Sequence, residues 1–311
     1  LAQARTGKDM LEGKALIDLG NLTEPATKLI EKISDAVGVL YEPTRVVRLA
    51  QAQAHAALIE FNNKNTLTEL EQRAVSSALK KEAKKQKNIE KITAKAIETL
   101  PSAATPQDIE DDWLSFFFSK CEIISDEAMQ RVWAEVLARQ AVEASSFSRR
   151  TLSILATLES HDAESFLKFC SCAVLFQEIP ELFIFDVDDV FYREKDINLG
   201  RALELQSLGL VHYSSSSLYL SRSDCPRIEV DDETFHVVEL EYFGKKYELL
   251  VPEYESPNIL VDKPTYEYGC VSLTIAGAEI FQICNAQPID GFMEKVGSRL
   301  KKQGHILRQV I

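Results

Sequence analysis

In SDEAMQRVWAEVLARQ, residues 125–140, apolar side chains recur at Met129, Val132, Trp133, Val136 and Leu137. That i, i+3, i+4, i+7, i+8 rhythm sets one face of a helix against a core. Ser125 stands where a cap is needed, and Asp126 and Glu127 fall in the first turn, where carboxylates meet the positive end of the helix dipole. The same period runs through Leu29, Ile30, Ile33, Val37 and Leu40, behind Thr23 as cap and Pro25 in the first turn. Its polar face carries Lys28, Glu31, Lys32 and Asp35, a balanced set that favours packing within the protein or on a second copy over a membrane surface. A further helix is predicted from Pro43. Another starts at Thr66 and Glu69, spaced as a capping box, and holds to about Leu100.

PSAATP, 101–106, reads as a linker or sharp turn. Thr105, Pro106 and Asp108 then restart a helix with Ile109, Trp113, Phe116 and Phe117 on one face. Glu110, Asp111 and Asp112 belong to its first turns and do not converge on the aromatic face. Residues 145–176 fit two more short helices. Beyond residue 180 the period shortens towards two. LFIFDV (182–187) reads as a strand, and 197–221 as a helix stopped by Gly209 followed by two short strands around Ser214–Ser217. RIEV (227–230), TFHVVELEYF (234–243) and KKYELLVP (245–252) alternate, with Gly244 and Lys245 turning the last two into a hairpin. A strand at 268–274 and helices at 276–284 and 289–304 complete the chain.

The predicted class is therefore α+β: a mostly helical N-terminal region followed by a winged-helix-like mixed α+β C-terminal region. The expected divisions are helical regions at 1–104 and 105–179 and an α+β region at 180–311. The winged-helix expectation rests on the order helix–helix–helix–LGLV–strand–turn–strand over 150–222.

Charge sharpens this picture. The 311 residues carry a net −13, unevenly spread: 16 Lys/Arg and 13 Asp/Glu in 1–100, against 19 and 35 in 101–311. The acidic part repels phosphate, so nucleic acid is not an expected partner. The reading helix that the winged-helix pattern implies, 198–207, sets Arg201 against Glu204 beside a Ser/Tyr/Leu wing, which suits protein packing better than base reading. Six cysteines form no Cys-x-x-Cys pair, and the five histidines lie far apart, so no metal site or cofactor is expected. Buried free thiols and a reducing cytoplasm are the expectation. No run approaches the ~18 apolar residues of a membrane span, and the longest candidate, 173–187, is broken by Glu178, Pro180 and Glu181.

Three stretches invite a chemical reading. ELFIFDVDDV ends in Asp186-x-Asp188-x-Val190, the local pattern with which phosphatases of the haloacid dehalogenase superfamily open their active site. A magnesium-dependent phosphohydrolase using Asp186 and Asp188 is thus the enzymatic alternative. It requires a later hydroxyl, a lysine and then an acid pair. Thr274 offers the hydroxyl, but no acid pair follows Lys295, Lys301 or Lys302. ARTGKD, 4–9, matches only the tail of a phosphate-binding loop, with Ala2 and Asp9 where glycine and a hydroxyl are needed. Lys80, Lys81, Lys84, Lys85, Lys87 and Lys91 make a basic helix face, a candidate anion-binding surface for nucleic acid or a peripheral membrane contact, without interleaved aromatics for base stacking.

Several stretches together, EPATKLIEKISDAVGVLYEPTRVVRLAQAQAHA, IEDDWLSFFFSKCEIISDEAMQRVWAEVLA, SFSRRTLSIL and LTIAGAEIFQICNAQPIDGFMEKV, resemble the family known as domain of unknown function 2806 over roughly 20–297. The resemblance implies a bacterial, cytoplasmic protein, transfers no catalytic residue, and suggests a place among phage-defence components. The leading expectation is a non-enzymatic cytoplasmic interaction protein, a sensor or adaptor that binds a protein partner or itself, with no small-molecule substrate.

Overall fold

The computed structural model describes residues 22–37, 68–223, 225–253 and 263–310. The ARTGKD stretch, the helix expected from Pro43 and the Thr66 cap lie outside the described residues. Contacts gather Leu1–Leu152 into one unit and Ser153–Ile311 into another. The expected central region, 105–179, is thereby shared between the two. Its aromatics up to Phe147 pack in the first unit, and Phe166 to Phe176 pack in the second. The chain is α+β, with helices mostly in its first half and sheets in its second.

In the first unit, α1 (Glu24–Val37) buries Ala26, Leu29, Ile30 and Ile33 against α3 (Asp111–Cys121). The Thr23 hydroxyl accepts from the Ala26 amide at 3.4 Å, as the sequence anticipates. The long helix α2 (Glu69–Thr99) is closed by a reciprocal box between Thr68 and Glu71. The Glu71 amide meets Thr68 Oγ1 at 3.4 Å and the Thr68 amide meets Glu71 Oε2 at 2.8 Å. α4 (Glu127–Val142) is capped by Asp126, which accepts from the Met129 amide at 2.9 Å. Ser125 does not cap it because its hydroxyl is engaged by Asn88 of α2. Thr105 likewise makes no side-chain cap; a 3-10 turn, Pro106–Asp108, intervenes before α3.

The core of this unit is aromatic. Trp113 stacks on Phe117 at 5.1 Å and Phe117 meets Trp133 edge-on at 5.3 Å, offset and T-shaped geometries that suit the ring quadrupoles. The Trp113 indole donates to the Phe147 carbonyl at 2.7 Å.

After α5 (Arg149–Leu155) and α6 (Ser160–Cys170), the second unit departs from the sequence reading. Residues 173–176 are not the end of a helix but strand β1, and β2 (Ile179–Leu182) pairs with it. Gln177 and Glu178, with φ of 47° and 69°, make the two-residue turn whose twist suits a hairpin. The short apolar run carried no period that separates strand from helix. Pro180 is tolerated because β2 is an edge strand. LFIFDV is correspondingly strand only at Leu182, then an extended segment.

Helices α7 (Val190–Arg193) and α8 (Leu199–Ser207) lead into β3 (Val211–Ser221). The two strands expected around Ser214–Ser217 are one strand. Serines supply no left-handed turn, and both halves of β3 pair with β7 (Thr265–Leu273), the surplus residues bulging between Tyr213 and Leu218. Between β3 and β7 lie β4 (Arg227–Val230), β5 (Glu233–Tyr242) and β6 (Lys245–Pro252). The expected β5–β6 hairpin is present, but it turns at Phe243 and Gly244 rather than at Gly244 and Lys245, because Lys245 already pairs with Tyr242. The larger sheet runs β2-β1-β5-β6-β8 with β4 also on β5; β8 (Ile306–Gln309), too short to show a period, was not anticipated. α9 (Ile275–Phe281) and α10 (Phe292–Lys301) complete the unit.

Two glycines are dictated by close approach. A Cβ on Gly277 would lie 2.0 Å from the Leu210 carbonyl oxygen, and one on Gly269 would lie 2.4 Å from that of Ile184. No helix among the described residues is long and apolar enough to cross a membrane.

Candidate functional site

The aspartates of the opening motif sit in a turn, not on a strand. Asp186 and Asp188 are both exposed. Asp186 Oδ1 accepts from the Asp188 amide at 2.9 Å, a local Asx turn. The acid that reaches out is their neighbour. Asp189 caps α7 through the Phe191 amide at 2.9 Å and pairs with Lys295 of α10 at 2.5 Å. The hydrogen bond from Lys295 holds the Asp189 carboxyl below its ordinary range. Thr274 is also committed. It caps α9 through the Gly277 amide at 3.0 Å and donates to the Gly209 carbonyl at 2.6 Å. Among the described residues no hydrogen bond or ion pair joins Lys295 or Thr274 to Asp186 or Asp188. Among the described residues no group of three or more His, Cys, Asp or Glu is arranged to hold a metal ion.

The lysine face divides in two. Lys85 pairs with Glu122, at the end of α3, at 2.7 Å, and Lys91 with Glu127, at the start of α4, at 3.4 Å. Lys80, Lys81, Lys84 and Lys87 are exposed and pair with no acid among the described residues. Beyond Lys87 the helix is clamped to α4. Buried Gln130 of α4 donates to buried Asn88 at 3.4 Å and accepts from Lys95 at 3.2 Å, and Asn88 donates to the Glu122 carbonyl at 2.8 Å.

Helix α8, the expected reading helix, buries Ala202 and Leu205 and turns Gly200, Leu203, Glu204, Gln206 and Ser207 outward. Leu203 is 45% exposed. Its one cation, Arg201, is held by Glu204 at 2.8 Å and Asp196 at 3.4 Å. Asp196 is drawn below its ordinary range, first by Lys168 at 2.9 Å.

Sequence reasoning missed the most deeply buried acid. Glu267 on β7 is 2% exposed. It accepts from Ser217 at 2.7 Å, from Arg299 at 3.0 and 3.2 Å, and from Gln303. A second enclosed pair, Glu181 with Arg222 at 3.3 Å, joins β2 to the end of β3, the guanidinium lying 4.1 Å over the Phe176 ring. Burial pushes the Glu181 carboxyl up, more than Arg222 draws it down. Strand alternation alone marks both acids as solvent-facing; only partners distant in sequence explain their burial.

None of the six cysteines is in a disulfide, and Cys121, Cys170, Cys172 and Cys270 are buried. Burial pushes Cys270 up to about 11 and also raises Cys121, Cys170 and Cys172 well above the ordinary thiol value.

The model of a family described as protein of unknown function (DUF2806) matches residues 72–296. No curated protein and no solved structure matches the chain.

Proposed function

Starting from a chain that belongs to the DUF2806 family, we propose that it is a non-enzymatic interaction protein, an adaptor or sensor that grips a protein partner through a winged-helix-like unit. The winged-helix reading is supported by the order α6, the β1–β2 hairpin, the segment 183–185, α7, α8, β3, with β3 and β7 antiparallel. The Cys270 amide donates to the Ile184 carbonyl at 2.7 Å, which puts the extended segment on the other edge of β7. We read this contact beside the two-stranded β3-β7 sheet as the counterpart of the third strand with which a winged helix supports its reading helix. The connection corresponding to the wing is enlarged here to hold β4, β5 and β6.

The observation that carries the partner class is the outward face of α8. It offers one exposed leucine, one carboxylate and small polar groups. Its arginine is already committed to two acids. Residues 153–311 hold 14 Lys/Arg and 26 Asp/Glu, a net −12. Phosphate contacts need available cations, whereas a protein surface with an apolar socket and a nearby cation complements Leu203 and Glu204.

The test is retention of a partner by tagged wild-type chain and by Leu203→Asp, from infected and uninfected bacterial lysates treated with nuclease. Solution mass is measured alongside. A protein or second copy held by wild type and lost by Leu203→Asp supports the reading, and its restriction to infected cells adds the phage-defence role. A strict monomer that retains nothing overturns it.

A further inference from the structure

We infer that the outward face of α2 binds the phosphate backbone of nucleic acid, without regard to base sequence. The inference is independent of α8, since it rests on a different unit and on the opposite charge.

At 100° per residue, Arg73, Lys80, Lys84 and Lys87 fall within an arc of about 60°. The face that α2 buries, Asn88, Ile89, Ile92, Thr93 and Ala96, is centred about 140° away on the same wheel. The stripe thus points away from the core of its own unit. Arg73, Lys80, Lys84 and Lys87 are exposed and pair with no acid among the described residues. Lys85 and Lys91 are spent on Glu122 and Glu127, so they are not counted. Ser76 and Ser77, also exposed, flank the stripe with hydroxyl donors of the kind that phosphate oxygens accept.

Length and screening fit the same ligand. From Arg73 to Lys87 the helix advances about 21 Å, roughly six phosphates along one B-form strand. Lys80 lies about 12 Å along the axis from Asn88, where packing begins, beyond the Debye length of about 8 Å in physiological salt. Past that distance the acids of the helical body weaken Arg73 and Lys80 only slightly, whereas Lys84 and Lys87, about 6 and 1.5 Å along the axis from Asn88, lie within it. This is how a local patch escapes the net −13 of the chain.

The observations favour nucleic acid over an anionic bilayer. A helix that lies on a membrane needs a bulky apolar face opposite its cations. Here the opposite face is Ala74, Val75, Ala78 and Leu79, with Glu71 and Glu82 near its centre. The stripe carries no aromatic side chain, so bases have no stacking platform and strands of different sequence are bound alike.

The test uses fluorescence anisotropy of the full chain with labelled 30-base single-stranded and 30-base-pair double-stranded DNA of two unrelated sequences. Four phosphate contacts predict an affinity loss of about 50- to 150-fold between 50 and 200 mM salt. The variant K80E/K84E/K87E is expected to lose at least 30-fold at 50 mM salt. K245E/K246E/K301E, with the same change in net charge on exposed lysines of the other unit, is expected to stay within twofold of wild type. Absence of wild-type binding at 50 mM salt overturns the inference, as does an equal loss in both variants. Tighter binding to vesicles containing 30% phosphatidylserine than to either DNA assigns the stripe to membrane and also overturns it.

Discussion

Replacing Glu267 by glutamine tests whether the second unit is locked by one carboxylate. The wild-type side chain is 3% exposed and collects donors from β3 and from the end of α10 and the turn after it: Ser217, Arg299 and Gln303. Glutamine keeps the shape but removes the charge and turns an amide N–H₂ towards groups that are themselves donors. Breaking one side of a buried ion pair costs about 3–5 kcal/mol. Arg299 is 43% exposed and can return to water, so the lower bound applies, about 3 kcal/mol. With a urea slope of about 2 kcal/mol/M, the midpoint of the second unit should fall by about 1.5 M. The assay separates the units because both tryptophans, Trp113 and Trp133, lie in Leu1–Leu152. Tryptophan fluorescence therefore follows the first unit, and the strand signal in far-ultraviolet circular dichroism follows the second. The Glu267→Gln variant should move the second transition alone. A shift below about 1 kcal/mol, or an equal shift in both signals, refutes the reasoning.

Gly277→Ala should improve helix propensity yet abolish or strongly weaken folding of the second unit, by at least about 3 kcal/mol, because its Cβ would lie 2.0 Å from a backbone oxygen; circular dichroism melts check the sign. Asp189→Asn keeps the cap on α7 and deletes the pair with Lys295. Since the Asp189 carboxyl is lowered in the folded state, its stabilisation is present above the unfolded value of about 3.9 and lost as pH falls through the lower folded value. The stability gap between variant and wild type should therefore be seen at pH 7 and close below about pH 4 in urea titrations. Iodoacetamide at pH 7.5 should modify only Cys225 and Cys284 in the native chain, and all six cysteines in urea, as counted by intact mass.

The long helices were legible because their period persists over several turns, and what slipped was the last hydrogen bond. Asp126 replaces Ser125 and Thr68 caps α2 because adjacent residues compete for the same role and tertiary partners decide between them. The β5–β6 hairpin was legible through Gly244, although the turn pair is Phe243-Gly244 and not Gly244-Lys245. The β1–β2 hairpin was hidden, since Gln177-Glu178 is not a turn pair that composition announces. The lysine stripe could be read from spacing, but not which lysines Glu122 and Glu127 would claim. Asp186-x-Asp188 was the loudest motif, and it marks the turn before a four-residue helix. Glu267 was silent because its burial depends on Arg299 and Gln303, more than thirty residues further on.

Where the acids of the second unit lie bears on what that unit can do. A carboxylate acts as nucleophile or base when it is withdrawn from water and left with unspent reactivity. Glu267 and Glu181 are withdrawn from water, but arginines hold both, and moving either proton or charge would loosen the strands they join. Asp186 and Asp188 lie in water, where a partner's field is weakened by the high dielectric and a reacting phosphate would meet two unshielded negative charges. Among these four acids, enclosure and free reactivity are therefore found on different residues. Recognition asks for neither together: it needs an anchored backbone and a side chain that gains by leaving water. Leu203 meets that requirement, on a helix whose buried side is fixed by Ala202 and Leu205 and whose start is capped by Asn198. On that basis a loss of partner binding in Leu203→Asp, with the urea midpoints of both units unchanged, is the result that separates a recognition surface from a structural one.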